Sequence, residues 1–178
     1  MMLVRFRPTA IFIGLVFLFL AAATRASYAQ SWIEYSYPSD GFAISGASAP
    51  VLSTQTAQSK AGPVPTRIWT WDFSATAVVI AVNDYPSVNA SVQEVLDNAA
   101  AGEAGAWKGG HIVSKAPIVQ QGVTGLECVI DGDEFHGRSH LFFQGRRLWQ
   151  IISLSATGQP LYAQTDRMLA SFRFLQAQ

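Results

Sequence analysis

Apolar and polar positions alternate with a period of two along most of the chain, the signature of half-buried strands, and shift to a helical period in two places. Trp32 to Tyr37 alternates and stops at Pro38, which predicts a first strand. Ser39-Asp40-Gly41 is a turn into a second, Phe42-Ala43-Ile44-Ser45. Ser53 to Pro65 is rich in Ser, Thr, Gln, Ala, Gly and Pro and reads as a surface loop or a frayed hairpin. Thr66 to Phe73 and Thr76 to Tyr85 predict an antiparallel pair joined near Ser74-Ala75. Ala77 to Val82 is apolar at successive positions, the pattern of a central strand covered on both faces.

The first helical stretch opens at Ser91-Val92-Gln93-Glu94, a hydroxyl cap followed three residues later by Glu. Val92, Val95, Leu96, Ala99 and Ala100 then form one stripe, and Gly102, Gly105 and Gly109-Gly110 close the helix. Strands resume from His111 to about Ala156. Gly158-Gln159-Pro160 opens a last helix with Leu161, Thr165, Met168, Leu169 and Phe172 on one face. Short connections between strands imply antiparallel pairing, and each helix has one apolar stripe to bury. The expected class is α+β: a central antiparallel sheet covered by two amphipathic helices, an α/β/α sandwich.

The first thirty residues follow neither period. Arg5 and Arg7 precede an uncharged apolar run from Ala10 to Ala23, and Ser27-Tyr28-Ala29 fits a small-x-small cleavage site. The run is shorter than the ~20 residues a membrane span needs. Residues 1–29 therefore read as a secretory signal cut after Ala29, leaving one domain over 30–178 in the periplasm or outside the cell. No later stretch is long and apolar enough to span a bilayer. Residues 30–178 carry 9 Lys and Arg against 12 Asp and Glu. This mildly acidic balance offers no basic field for nucleic acid. The one cysteine, Cys128, excludes an intramolecular disulfide. It alternates with Leu126 and Ile130 onto one strand face and reads as a buried thiol.

The densest polar cluster is Asp131-Gly132-Asp133-Glu134-Phe135-His136-Gly137-Arg138-Ser139-His140. A hairpin turning at Gly132-Asp133 would place Glu134, His136, Arg138, His140 and Phe142 on one face, with Glu127 opposite Arg138 and Asp131 beside Glu134. A turn shifted by one residue would put Glu127 opposite His136. His136 and His140 are then about 13 Å apart at ~3.3 Å per residue, too far to share one ion. Asp131, Asp133 and Glu134 offer at most a weak turn site, short of the ligand count of a calcium loop. No Gly-x-Ser-x-Gly turn or phosphate-binding glycine loop occurs, so no catalytic set, cofactor or dedicated metal site is expected. Trp69, Trp71 and Phe73 fall on one strand face, either core or an aromatic strip for a ligand. The expected contact surface is the sheet face and loops around Glu127, Glu134, His136 and Arg138.

The order of landmarks resembles the Mog1/PsbP-like superfamily, in particular its small exported bacterial members. The resemblance rests on Tyr35 and Gly41 to Ser45, then Pro50 and Val82 to Pro86. It continues through the alanine-rich helix ending at Gly102, Gly122 to Glu127 and Arg138. It ends with Gly145 to Ile151 and Ala170 to Phe174. Two departures are the proline delayed to Pro50 and Trp149 where the family often has Tyr. The resemblance implies a central antiparallel sheet between helices. It also implies binding or assembly roles, as in a photosystem extrinsic subunit or a small-GTPase partner, with no catalytic residues to carry over. The functional expectation is an exported non-enzymatic binding or assembly module of the bacterial cell envelope, with an unknown protein partner. The alternative is a periplasmic protein that binds a small ligand or metal ion.

Overall fold

The computed structural model describes residues 32–59, 62–160 and 163–175. The expected signal, residues 1–29, lies outside them, as does Leu161. The elements run β1 (Ile33–Tyr37), a 3-10 turn (Pro38–Asp40), β2 (Phe42–Gly46), β3 (Val51–Ser59), β4 (Gly62–Asp72) and β5 (Thr76–Asp84). Then come α1 (Val92–Ala106), β6 (His111–Gln120), β7 (Val123–Asp131), β8 (Phe135–Gln144), β9 (Arg147–Ala156), α2 (Ala163–Ser171) and β10 (Arg173–Phe174). Every strand pairing is antiparallel, as the short connections require.

The architecture corrects the expected sandwich. Strands take 57% of the described residues and form two sheets. The larger has the order β3-β4-β5-β9-β8-β7-β6, and the smaller is β1-β2-β10. One face of the large sheet buries Trp69, Trp71, Val78, Ile80, Val82, Phe142, Trp149 and Ile151. Phe42 and Ile44 of β2 pack onto that face, together with Met168 and Leu169 of α2 and Phe172. The second sheet therefore shares this cover with a helix. Element lengths explain why. A nine-residue helix reaches about 14 Å at ~1.5 Å per residue, whereas seven strands at ~4.8 Å span about 29 Å. On the other face, Leu96, Ala100 and Ala104 of α1 pack on Leu126, Cys128, Ile130, Leu141, Phe143 and Leu148. That cover lies over β6, β7 and β8 and leaves the β3–β5 side of the face open.

Three local expectations also change. Residues 53–59 and 62–65 belong to β3 and β4, which pair in register from Val51 opposite Thr70 to Ser59 opposite Gly62. All nine residues of β3 are exposed, so no burial period marked them as strand. α1 is closed by its capping box, with the Ser91 hydroxyl accepting from Glu94 N–H at 3.2 Å and Ser91 N–H donating to the Glu94 carboxylate at 2.8 Å. Gly102 and Gly105 do not end the helix, which continues to Ala106. In β5, burial alternates: Val78, Ile80 and Val82 are buried, while Ala77, Val79 and Ala81 are half-buried because α1 does not reach them. Among the described residues no helix is long and apolar enough to cross a membrane.

Candidate functional site

The β7–β8 hairpin turns one residue later than expected. Gly132 N–H donates to Phe135 C=O at 2.8 Å, so the two-residue loop is Asp133-Glu134. Tertiary bonds fix this choice. Asp133 N–H donates to Lys108 C=O at 2.8 Å, and Thr157 N–H to Glu134 C=O at 2.9 Å. Glu127 consequently faces His140, Arg138 faces Val129, and Asp131 faces His136 rather than Glu134. The like-charge contact expected at Asp131 is therefore relieved.

Glu127 and Arg138 still meet, diagonally. The Glu127 carboxylate lies 3.1 Å from His140 Nε2 and 4.0 Å from Arg138 Nε, and Arg138 Nη1 reaches Asp166 of α2 at 3.4 Å. Burial holds His140 below the ordinary imidazole range, and Glu127 offsets this only in part. Glu134 and His136 stand apart from this group. Glu134 is exposed at the turn, 3.8 Å from Lys108 Nζ. Among the described residues no three His, Cys, Asp or Glu side chains are grouped to hold a metal ion, the turn of Asp131, Asp133 and Glu134 included.

The aromatic row is core. Trp69 and Trp71 are buried, with Tyr37 and Phe42 against Trp69 at ring-centroid distances of 5.1 and 5.0 Å. No ligand reaches those faces from solvent, which corrects the reading of an aromatic strip. Cys128 is fully buried as expected, and burial followed by the nearby Glu103 carboxyl pushes its thiol up.

A second charged group ties the small sheet to the large one. Arg67 bridges Asp40 and Asp84, and Arg147 grips Asp84 through Nε at 2.6 Å and Nη2 at 3.1 Å. Burial opposes ionisation of Asp84, but the bonds from Arg147 and Arg67 outweigh it and hold its carboxyl below the ordinary range. Arg147 also donates to Ser39 C=O at 2.9 Å, and Trp149 Nε1 donates to Asp40 C=O at 2.8 Å. These groups satisfy one another and act as a structural clamp. The recess of about 350 Å³ beside Arg147 and Trp149 therefore offers no free charge.

A cleft of about 710 Å³ lies on the open part of the α1 face, between α1, the segment 85–90 and β9. Val88, Val95, Ala99 and Leu148 supply apolar wall, and Tyr85, Asn89, Asn98 and Gln150 supply polar groups. A Cβ added at Gly102 would meet nothing within 4 Å, so the helix presents a gap there. Glu103 sits in this wall, only 7% exposed. Its Oε1 accepts a hydrogen bond from Ser139, while its Oε2 is buried with no hydrogen-bond partner. Burial pushes its carboxyl up to about 7, with the Ser139 hydroxyl and the nearby Gln150 amide pulling the other way. Behind it runs a polar relay across the sheet: Thr66 donates to Asn83 at 2.8 Å, and Asn83 donates to Gln150 at 3.0 Å.

Sequence reasoning missed Glu103, yet a signal was there. Leu96, Ala100 and Glu103 stand at i, i+4 and i+7, so a carboxylate occupies the apolar stripe of α1. A buried titratable group with a displaced pKa in the wall of a cleft makes that cleft the candidate functional site.

No protein-family model matches the chain, and no curated protein matches it. Among solved structures it is similar to the solution structure of cyanobacterial PsbP (CyanoP) from Synechocystis sp. PCC 6803. The identity is 12%, the match covers 85% of this chain and 97% of that one, and the TM-score is 0.54. Likeness at that identity speaks to the fold alone. The chain has a PsbP-like fold.

Proposed function

We propose that the chain is an exported, non-enzymatic binding module that takes a small organic ligand into the cleft between α1 and β9. The observation that carries this reading is the cleft itself, with apolar wall, a few convergent polar groups and the unpartnered carboxylate oxygen of Glu103. Support for a binding rather than a catalytic role is that, among the described residues, Glu103 is the only charged side chain lining the cleft. Its hydroxyl neighbour, Ser139, is fully buried and does not line the cleft. Export is supported by the sequence of residues 1–29, with Arg5 and Arg7 ahead of the apolar run and the small residues ending at Ala29. An assembly surface at Glu127, Glu134, His136 and Arg138 has less in its favour, because the charges there are largely spent on Asp166, His140 and Lys108.

The test is a thermal-shift screen of the purified protein against a small-molecule library covering neutral, cationic and anionic compounds. A ligand at a hundred times its Kd stabilises the folded state by about 2.7 kcal/mol. The variant Gly102→Leu places a side chain in the open gap and favours the helix by up to about 1 kcal/mol, so it should fold and lose the shift. If no compound of any charge stabilises the wild type, or if Gly102→Leu binds as well, the reading fails.

A further inference from the structure

Resting on that reading of the cleft, we propose that its ligand is a small organic cation, an alkyl or aryl ammonium whose nitrogen sits against Glu103 Oε2. Three independent features of the site converge on this class. The first is charge: among the described residues one carboxylate and no Lys, Arg or His lines the cleft, so the charge they can bring to it is negative. The second is an unmet valence. Glu103 is more than nine-tenths buried, Ser139 serves Oε1, and among the described residues no donor stands within hydrogen-bond distance of Oε2, the Gln150 amide acting on the carboxyl more weakly than Ser139. A buried carboxylate oxygen without a donor is costly, and an ammonium supplies donors and a compensating charge together. The third is the wall. Val88, Val95 and Leu148 suit a hydrocarbon stem and not a hydrated metal ion.

Anions are disfavoured by the same geometry, since they would meet Glu103 with no cation among the described lining residues to offset it. Neutral hydrogen-bond donors can reach Oε2 but bring no charge. The gap between ammonium and alcohol on one carbon skeleton therefore isolates the proposed contact. Nothing about the skeleton need be known, provided several are tried.

The experiment uses three matched series on the purified protein, measured by calorimetric titration: butyl, cyclohexylmethyl and phenethyl skeletons, each as amine, alcohol and carboxylic acid. The expected result is at least one skeleton whose amine binds tenfold or more tighter than its alcohol, with no detectable binding of the acid. Glu103→Gln keeps the shape of the side chain and should bring the amine down to the affinity of the alcohol. Equal or tighter binding of alcohols or acids overturns the cation proposal and leaves the cleft reading standing. Undiminished amine binding by Glu103→Gln overturns it as well. If no member of any series binds and the library screen also finds nothing, both readings fall. Should Glu103→Gln not fold, the wild-type series decides the matter alone.

Discussion

Replacing Glu103 by Gln removes a titration while keeping the shape of the side chain, so it isolates what burying that carboxyl does to stability. The carboxyl is held at about 7 in the fold, against an ordinary 4.5. The cause is burial: the bond from Ser139 to Oε1 and the weaker pull of the Gln150 amide do not replace the hydration that the carboxylate has lost. One hydrogen bond to a charged group is worth about 1.5–3 kcal/mol, whereas desolvating a carboxylate costs several. The folded state therefore holds the proton more tightly than the unfolded chain does. The sign follows: this contribution is fully present below about pH 4.5, fades as the pH rises, and is gone once the pH passes about 7. At about 1.4 kcal/mol per pKa unit, the loss across that window is roughly 3 kcal/mol. For a protein of this size it corresponds to about 6–12 °C in Tm.

The assay is paired urea and thermal melts of wild type and Glu103→Gln at several pH values from about 4 to about 8.5. All other titrating groups are common to both proteins and cancel in the difference. The variant should gain on the wild type as pH rises from about 4.5 to 7, then keep a constant lead. A flat difference would refute the burial argument, and so would a wild type that gains on the variant with rising pH.

Other parts of the structure make separate predictions. Gly137→Ala should destabilise by about 1–3 kcal/mol in a urea melt, because a Cβ there would lie 2.6 Å from Ser153 C=O and 2.8 Å from the Trp107 ring. Asp84→Asn weakens the clamp with Arg67 and Arg147 and should cost roughly 1–2 kcal/mol at neutral pH, a third of that side chain being exposed and screened. Because the Asp84 carboxyl is held below its ordinary 3.8, that cost should be full above about pH 3.8 and shrink as the pH falls further. Ser91→Ala removes the hydroxyl half of the capping box and should cost about 1 kcal/mol, read from the same melts.

Much of the strand content was legible, because β1 alternates and stops at Pro38, and β5 is an unbroken apolar run closed soon after by Pro86. The capping box located α1, and the alternation through Leu126, Cys128 and Ile130 placed the thiol in the core. Layering was not legible. Nothing local tells Phe42 and Ile44 that they belong to a second sheet, since that depends on β10 returning beside β2 across more than a hundred residues. β3 was hidden for a different reason: an edge strand exposed on both faces has no burial period to display. The hairpin register turned on Lys108 and Thr157, which lie outside the hairpin and compete for its turn. The candidate site depended on what α1 leaves uncovered. A single Glu in an Ala- and Gly-rich stripe gains its meaning only once Ser139, Gln150 and the open flank of β5 are around it.

The measurement that tests the cleft most directly is amide chemical-shift mapping of the isotopically labelled protein, titrated with the compound that stabilises it most. The largest shifts should fall on residues 87–90, Val95, Gly102 and Gln150, around Glu103. Shifts gathered instead around Glu127, His136 and Arg138 on the opposite face of the sheet would contradict it.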